Sequence, residues 1–281
     1  MTADGAGAGH SSTGAAGDPH VVLREERRGR IAVWKLNRPA QRNSLSEGLI
    51  SALQVAIDRV SVDRDVAAVV IAADGPAFSA GHDLKEMSAR RGDADGGRAY
   101  FAHVMNICAR MMLSIQRSPK PFIAAVEGVA SAAGCQLVAT CDLAVAGKAA
   151  RFATPGVNIG LFCSTPMVAL TRNMPRKRAM EMLLLGEMLE ADAAADFGLV
   201  NRVVPEGTAL DAALAMAEVI ASKSTATVAI GKETFYAQLE APVAEAYAEA
   251  ADVMVRNMMY RDAEEGIGAF IEKRQPMWKG C

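Results

Sequence analysis

Two short segments of the chain share a pattern that could bind an anionic oxygen. Residues 74–84 (DGPAFSAGHDL) and 127–137 (EGVASAAGCQL) align without a gap as [DE]-G-x-A-x-x-A-G-x-x-L, and each follows an apolar run that predicts a strand. A turn of small residues at the start of a helix leaves backbone N–H groups unpaired beside the positive end of the helix dipole. Two such turns from neighbouring layers could direct two N–H groups at one oxygen, which is an oxyanion hole. The same small residues would also suit tight packing between layers, and spacing alone leaves both interpretations open.

Polar side chains beside these turns are the other candidates for chemistry. His82 lies in the first turn, and histidine ordinarily titrates near neutral pH. Gln136 and Asp142 are the two polar residues longer than serine or threonine in the otherwise apolar run 129–146. The Gln136 amide could orient a water or an acyl group, or it could be a buried amide whose hydrogen bonds go to neighbouring backbone. The His82 side chain could contact a ligand. Alternatively, the ring packs within the fold and the residue acts only through its backbone N–H.

Strands and helices alternate through the part of the chain that must position these turns. We expect strands at 21–25, Ile31–Leu36, 66–72 and Phe122–Val126, a helix capped by Ser46, and a long helix over Arg98–Arg117. Residues 90–97 are a polar, glycine-rich segment that predicts a loop able to move. From about Pro175 the pattern is nearly all helical, with a brief strand at 200–204 and long helices at 243–259 and 262–274. The sequence therefore predicts an α/β fold with an α-helical C-terminal region.

Composition narrows the classes of protein to consider. The 281 residues are 51% hydrophobic and 22% charged with a net charge of −2, which favours neither nucleic acid nor an anionic membrane as a partner. The sequence has no 18-residue apolar run, so we expect no membrane span. Five cysteines without a C-x-x-C pair predict free thiols in a reducing cytoplasm, with no metal site. Residues 1–20 are rich in Gly, Ala and Ser and predict a disordered leader.

The two turns and their surroundings resemble the crotonase superfamily, also called the enoyl-CoA hydratase/isomerase family. The resemblance covers nearly everything after the leader, in the family's order, and within the family four segments (GHDLKEM, SAAGCQLVATCDLAVA, FATPGVNIGLFCSTP and FIEKRQPMW) are most similar to one subgroup. The matching segments are 37–39, 79–84, 124–142, 152–160, 191–204, 265–266 and 270–274. The resemblance implies a crotonase-type spiral of ββα repeats that assembles as a homotrimer or a dimer of trimers. It divides the chain into a leader at 1–20, a spiral core at 21–204, and a helical region at 205–281 that serves trimerisation and covers the CoA pocket.

The resemblance also implies a ligand and a site. Members of the family bind acyl-CoA thioesters and polarise the thioester carbonyl with two backbone N–H groups, which here belong to His82 and Ala133. Coenzyme A enters as part of the substrate, and no separate cofactor is implied. Residues expected to contact substrate or CoA are Arg42, Ala80, Asp83, Lys85, Cys163, Phe270 and Lys273.

The sequence departs from the family where hydratases carry two glutamates. The first position, directly after the Gly-Cys of the second turn, is Gln136, and the second, directly after the proline of FATP, is Gly156. An amide cannot accept a proton near pH 7, and glycine has no side chain. Each missing acid or base should cost roughly 10²–10⁴ in rate, so ordinary hydration of a trans-2-enoyl-CoA is expected to be weak. Isomerisation, thioester hydrolysis, decarboxylation and binding without catalysis remain the alternatives.

Other side chains could replace the missing acids or serve the fold. The thiol of Cys163 could face the acyl chain, although a buried and inert cysteine is the simpler interpretation. Asp83 and Asp142 match positions that are acidic in family members of differing chemistry, which favours structural hydrogen bonds. Glu86 and Glu127 are weaker candidates for acid/base work, and Met105, Met111 and Met112 fit a core better than a substrate tunnel.

Overall fold

The computed structural model describes residues 21–281, and the predicted leader lies outside them. The strands are β1 Leu23–Arg28, β2 Ile31–Leu36, β3 Ala68–Ala73, β4 Ala77–Ser79, β5 Phe122–Val126, β6 Val129–Ser131, β7 Leu143–Gly147, β8 Arg151–Ala153, β9 Leu189–Glu190 and β10 Arg202–Val204. The helices are α1 Glu47–Val62, α2 Leu84–Ala89, α3 Arg98–Arg117, α4 Ala133–Thr140, α5 Ser164–Asn173, α6 Arg176–Leu185, α7 Ala191–Asp196, α8 Ala209–Ala221, α9 Thr225–Gln238, α10 Val243–Met258 and α11 Arg261–Glu272.

The strands form two sheets that the chain visits in turn. One sheet has the order β1-β2-β3-β5-β7-β10 and the other has the order β4-β6-β8-β9. The pairs β3–β4, β5–β6 and β7–β8 each place one strand in each sheet before the chain enters a helix. Within the sheets, the β2-β3-β5-β7-β10 and β4-β6-β8 neighbours are parallel. This alternation is the spiral of ββα repeats, and it confirms the predicted fold class.

The larger sheet is buried on both faces. In β2 the side chains alternate, so that Trp34 and Leu36 enter the main core while Ile31 and Val33 face a second core. Trp34 packs edge-on against Phe122 of β5, with the ring centroids 5.7 Å apart. Small residues of α8 cover the opposite face. A sheet buried on both faces requires apolar residues at every position, which explains the continuous apolar runs in the sequence.

Most predicted elements are confirmed, and where the structure differs, the bounds of a strand move by a few residues. The structure has β2, α3 and β5 at the predicted bounds, and Ser46 caps α1 by accepting a hydrogen bond from the N–H of Leu49. The strand expected at 21–25 instead runs over Leu23–Arg28, because its pairing with β2 continues to the turn at Gly29. The strand expected at 200–204 is confined to β10, since its three residues pair with the end of β7.

The segment 90–97 begins with a 3₁₀ turn rather than an irregular loop. The Arg90 guanidinium lies 4.8 Å from the centroid of the Tyr100 ring, and the Arg91 guanidinium lies 5.5 Å from that of Phe101. These cation–π contacts anchor the segment to the first turn of α3.

The C-terminal quarter is helical, as predicted for residues 205–281. α8 lies on the sheet, whereas α9, α10 and α11 pack on one another. No single helix among residues 21–281 is long and apolar enough to cross a membrane, although α8 and α9, bent by 108° at their junction, would meet that test together.

Candidate active site

The first turn is held from one side by the backbone of Leu45. β4 ends at Ser79, and Asp83 caps α2 three residues after the exposed Ala80. The Leu45 N–H donates to the Gly81 carbonyl at 2.7 Å, and the Asp83 N–H donates to the Leu45 carbonyl at 3.3 Å. Both neighbours of His82 are therefore bonded to Leu45. Within the described part of the chain, the His82 N–H itself has no acceptor.

The second turn also presents an N–H without an acceptor, and it does so through a strained residue. β6 ends at Ser131, and Ala132 has φ 47° and ψ −116°, a conformation that normally requires glycine. Its N–H donates to the Ala153 carbonyl of β8 at 2.9 Å. The chain then enters α4 at Ala133. The N–H of a first helical residue has no partner inside its helix, and no other acceptor for it occurs in residues 21–281.

The two turns lie against each other because β4 and β6 are parallel neighbours. A Cβ added to Gly81, which has φ 90°, would lie 2.9 Å from the Ala132 Cβ and 3.3 Å from the Ala133 nitrogen. A Cβ added to Gly134 would lie 2.4 Å from the Ser79 carbonyl oxygen. The small residues therefore do permit tight packing. The same contact brings two N–H groups that have no acceptor among residues 21–281 to the adjacent ends of β4 and β6.

The His82 side chain differs from the expectation of a group that titrates near neutrality. The imidazole is largely buried, and its Nε2 has no hydrogen-bond partner in the described structure. Burial lowers the pKa of His82 to about 4, because a charged ring would lose its hydration. The ring is therefore neutral at pH 7 and offers a hydrogen bond rather than a charge.

Gln136 lies one helical turn after Ala133 and faces a large cavity. The residue is 5% exposed, and its Oε1 has no partner among residues 21–281. It lines a cavity of about 1250 Å³ between α3, α4, α5, α9 and α10, together with Met112, Ala139, Thr165, Ala169 and Ile230. His82, Ala133, Gly156 and Cys163 are not part of this lining. An unpaired buried amide oxygen is an acceptor available to a ligand, and it cannot take up a proton near pH 7.

Gly156 sits in the turn that follows β8, where no side chain would fit. A Cβ there would lie 2.8 Å from the Leu161 carbonyl oxygen and 2.9 Å from the Cys163 Sγ. The thiol of Cys163 thus fills the space beside Gly156. Burial raises the pKa of this thiol, so the interpretation as an inert cysteine fits its surroundings.

The acidic candidates make hydrogen bonds within the fold. The Asp83 carboxylate accepts from Arg38, from Ser44 and from the first N–H groups of α2. Glu86 accepts from the N–H of Glu47 at the start of α1, and Glu127 accepts from the N–H of Ala209 at the start of α8. Carboxylates at helix starts stabilise those helices.

Asp142 forms the centre of a buried network that sequence reasoning did not find. Its carboxylate accepts from Lys232 Nζ at 2.7 Å, from the Tyr236 hydroxyl at 2.9 Å and from the Phe122 N–H at 2.7 Å. The sequence indicates only that such a network is needed, because Asp142 is a lone carboxylate in an apolar run and a buried charge requires a partner. Its partners Lys232 and Tyr236 follow it by roughly ninety positions, so no local pattern identifies them.

The residues expected to meet CoA lie in two separate places. Arg42 and Lys85 are exposed beside the first turn, where the Arg42 carbonyl accepts the Ala80 N–H at 2.9 Å. Phe270 is 84% exposed on α11, and Lys273 caps the end of that helix. α11 packs mainly on α9 and α10. No group of three or more His, Cys, Asp or Glu side chains that could hold a metal ion occurs among the described residues.

Comparisons with known proteins agree with the fold class. A family model described as enoyl-CoA hydratase/isomerase matches residues 26–281. The enoyl-CoA hydratase domain-containing protein 3 of Rattus norvegicus, named as mitochondrial, is 47% identical over 243 residues, which are 86% of this chain and 79% of the relative. The crystal structure of the human protein of the same name superposes with a TM-score of 0.87 at 44% identity, covering 92% of this chain and all of the other. That of an enoyl-CoA hydratase from Mycobacterium smegmatis has a TM-score of 0.87 at 50% identity, covering 92% and 98%. The subgroup that the four sequence segments resemble is the one named for domain-containing protein 3.

Proposed function

Because the chain belongs to the enoyl-CoA hydratase/isomerase family, we propose that it binds an acyl-CoA thioester and polarises the thioester carbonyl with the backbone N–H groups of His82 and Ala133. The observation that carries this proposal is that both N–H groups lack an acceptor in the described chain and follow adjacent parallel strands. A carbonyl oxygen placed between them would gain two donors as negative charge develops on it. Each such donor is worth about 3–4 kcal/mol in a transition state.

The proposed reaction is of the crotonase type, with weak hydration of trans-2-enoyl-CoA. Hydration requires a group that removes a proton from water and one that delivers a proton to the α-carbon. Gln136 can hold a water through its amide, but it cannot take the proton. Isomerisation, hydrolysis and decarboxylation of a thioester use the same stabilised oxyanion, and they remain alternatives for an acyl group that is not yet identified.

A second candidate function is binding of acyl-CoA without turnover. The packing around Gly156 favours it, because the Leu161 carbonyl and the Cys163 thiol occupy the space that a second acid would need. In this case the unpaired N–H groups would serve recognition of the thioester alone.

We further propose that CoA binds along a rim formed by Arg42, Ala80 and Lys85. A neighbouring subunit of a homotrimer or a dimer of trimers would contribute Phe270 and Lys273 to this rim. No cofactor beyond the CoA of the substrate is proposed. For location we keep the proposal of a cytoplasmic protein, although the rat relative is named as mitochondrial.

Two ligands that differ only at the carbonyl test the proposal. Butyryl-CoA has the thioester carbonyl, and its S-butyl thioether counterpart replaces that C=O by CH₂. We expect calorimetry to give tighter binding of butyryl-CoA by about tenfold, since two N–H groups lose their acceptor with the thioether. Equal affinities for butyryl-CoA and the thioether would contradict the carbonyl-binding role of His82 and Ala133.

A panel of acyl-CoA thioesters then separates the two candidate functions. Turnover of any member, lost in Gln136→Ala, supports catalysis. Thermal stabilisation by acyl-CoA without turnover of the panel supports the binding protein, because a ligand of the folded state raises the melting temperature whether or not it reacts.

A further inference from the structure

The carboxylate of Asp83 is tied to the segment that precedes α1. Its Oδ2 accepts from Arg38 Nη2 at 2.9 Å and from the Ser44 hydroxyl at 3.0 Å, and its Oδ1 accepts from the N–H groups of Lys85 and Glu86. Burial disfavours the charged form, but the hydrogen bonds from Arg38, Glu86 and Ser44 outweigh it, so the pKa of Asp83 is lowered from its ordinary value. The carboxylate is therefore charged at neutral pH, and both of its oxygens accept hydrogen bonds from within the fold.

Asp83 in turn helps to hold His82, the residue with the unpaired N–H. In extended backbone, successive N–H groups point to opposite sides. The Asp83 N–H points to Leu45, and the Gly81 carbonyl accepts from Leu45, so His82 pairs with Leu45 as an isolated parallel bridge. The His82 N–H is trans to the Gly81 carbonyl across one planar peptide, so it points away from Leu45. Asp83 holds the other side of His82, because its N–H donates to the Leu45 carbonyl at 3.3 Å while its carboxylate is tied to Arg38 and Ser44.

Arg38 is itself held in place by a buried asparagine. Asn43 is fully buried, accepts the Arg38 N–H through Oδ1 at 2.7 Å, and donates to the carbonyls of Asp74 and Ala77. The guanidinium also donates to the carbonyl and the hydroxyl of Ser44. Arg38 thus bridges a turn anchored to β4 and the carboxylate that follows the first turn.

We propose that Arg38 is a positioning residue that, through Asp83, holds the His82 N–H in the direction required to bind a thioester carbonyl. The inference rests on the proposed function, because it concerns the same carbonyl. A simple stabilising ion pair is the competing explanation. The Arg38 and Asp83 side chains are only 18% and 13% exposed, so breaking this pair also costs stability, and stability cannot distinguish the two explanations. The geometry favours positioning, because Arg38 donates through Nη1 to Ser44 and through Nη2 to Asp83, and a fork-shaped guanidinium between two acceptors fixes the position of both.

The test measures polarisation of the bound carbonyl rather than stability. Crotonyl-CoA labelled with ¹³C at the thioester carbonyl is bound to the full-length protein, and infrared difference spectra give the carbonyl stretching frequency. We expect the wild-type protein to lower this frequency relative to free ligand. Arg38→Gln should lose about half of that shift or more, because one of two donors is misdirected. Arg38→Lys should lie between them, since an ammonium keeps the charge without the fork.

Arg27→Gln is the matched control, because it breaks the Arg27–Asp63 pair outside the site. It should keep the full wild-type shift. If Arg38→Gln does not fold, Ser44→Ala removes the other side-chain donor to Asp83 and should reduce the shift in the same direction.

The outcomes separate this inference from the proposed function. A wild-type shift that a folded Arg38→Gln protein retains overturns the role of Arg38 and leaves the proposed function standing. Absence of a shift in the wild-type protein overturns both. An equal loss in Arg27→Gln would mean that any broken ion pair has this effect, which also overturns the positioning role.

Discussion

His82 and Gln136 show how the surroundings of a residue decide the chemistry available to it. Both side chains carry a buried atom without a hydrogen-bond partner in the described chain, and both are neutral at pH 7. A buried unpaired polar atom costs free energy, so its retention calls for a ligand or a water as partner. Both side chains therefore offer hydrogen bonds, and neither exchanges protons near neutral pH.

His82 gives a pH-dependent test at the residue scale. The folded protein takes up a proton on His82 only near pH 4, whereas the unfolded chain does so near 6.5. Between these values the unfolded state binds more protons, so the stability of the wild-type protein falls as the pH falls. Relative to His82→Phe, the free energy of unfolding should drop by up to about 3 kcal/mol between pH 7 and pH 4. Urea unfolding of both proteins measures it, and a constant difference across this range would contradict the account.

Gly156 gives a steric test. We expect glutamate at positions 136 and 156 not to restore strong hydration, because any side chain at 156 meets the Leu161 carbonyl. Gly156→Ala should destabilise the protein by about 1–3 kcal/mol, as overpacking does. The control is Gly268→Ala in α11, where an added Cβ meets nothing within 4 Å and should stabilise by about 0.5–1 kcal/mol. Denaturant unfolding that gives the two substitutions the same sign would contradict this packing.

At the scale of elements, a buried ion pair joins the C-terminal helices to the core. Lys232 of α9 donates to the carbonyls of Ile115 and Lys120 as well as to Asp142. Burial lowers the pKa of Lys232, and the charge of Asp142 opposes that effect. This network connects the end of α3, the segment between α4 and β7, and α9, which are all walls of the cavity beside Gln136.

Removing one partner from this network should be costly. Lys232→Met leaves Asp142 as a buried charge without its cation, so we expect a loss of about 3–5 kcal/mol. Lys148→Met breaks the exposed pair with Asp192 and should cost about 1 kcal/mol or less. Chemical unfolding of both variants checks the contrast. Equal losses would mean that the buried network does not hold α9 to the core.

Elements with their own periodic pattern could be predicted from the sequence, and elements defined by distant partners could not. β2, α3 and β5 are long enough to show a buried run or a helical stripe. The strands β4, β6, β8 and β9 have three residues or fewer, and their pairing depends on neighbours from other repeats. The same limit applies to the site. The two turns were visible as a repeat, whereas the closure of Gly156 by the Leu161 carbonyl depends on how the following turn folds back.

At the scale of the whole molecule, the C-terminal helices expose many large apolar side chains. Met259 is 81% exposed, Tyr247 is 77% exposed and Phe270 is 84% exposed. Exposed apolar surface of this kind is typical of an interface between subunits. We predict a homotrimer or a dimer of trimers by sedimentation equilibrium, with Met259→Glu weakening the assembly. A monomer at micromolar concentration would contradict this prediction, and it would leave Phe270 and Lys273 without a route to the CoA rim.

We propose that the chain keeps the carbonyl-binding half of a hydratase site without its acids. The most direct measurement is the steady-state rate of hydration of crotonyl-CoA by the wild-type protein, beside a family member that carries both glutamates. We predict a kcat lower by about 10² or more, because each missing acid or base costs at least that factor. A kcat equal to that of the two-glutamate enzyme would contradict the account.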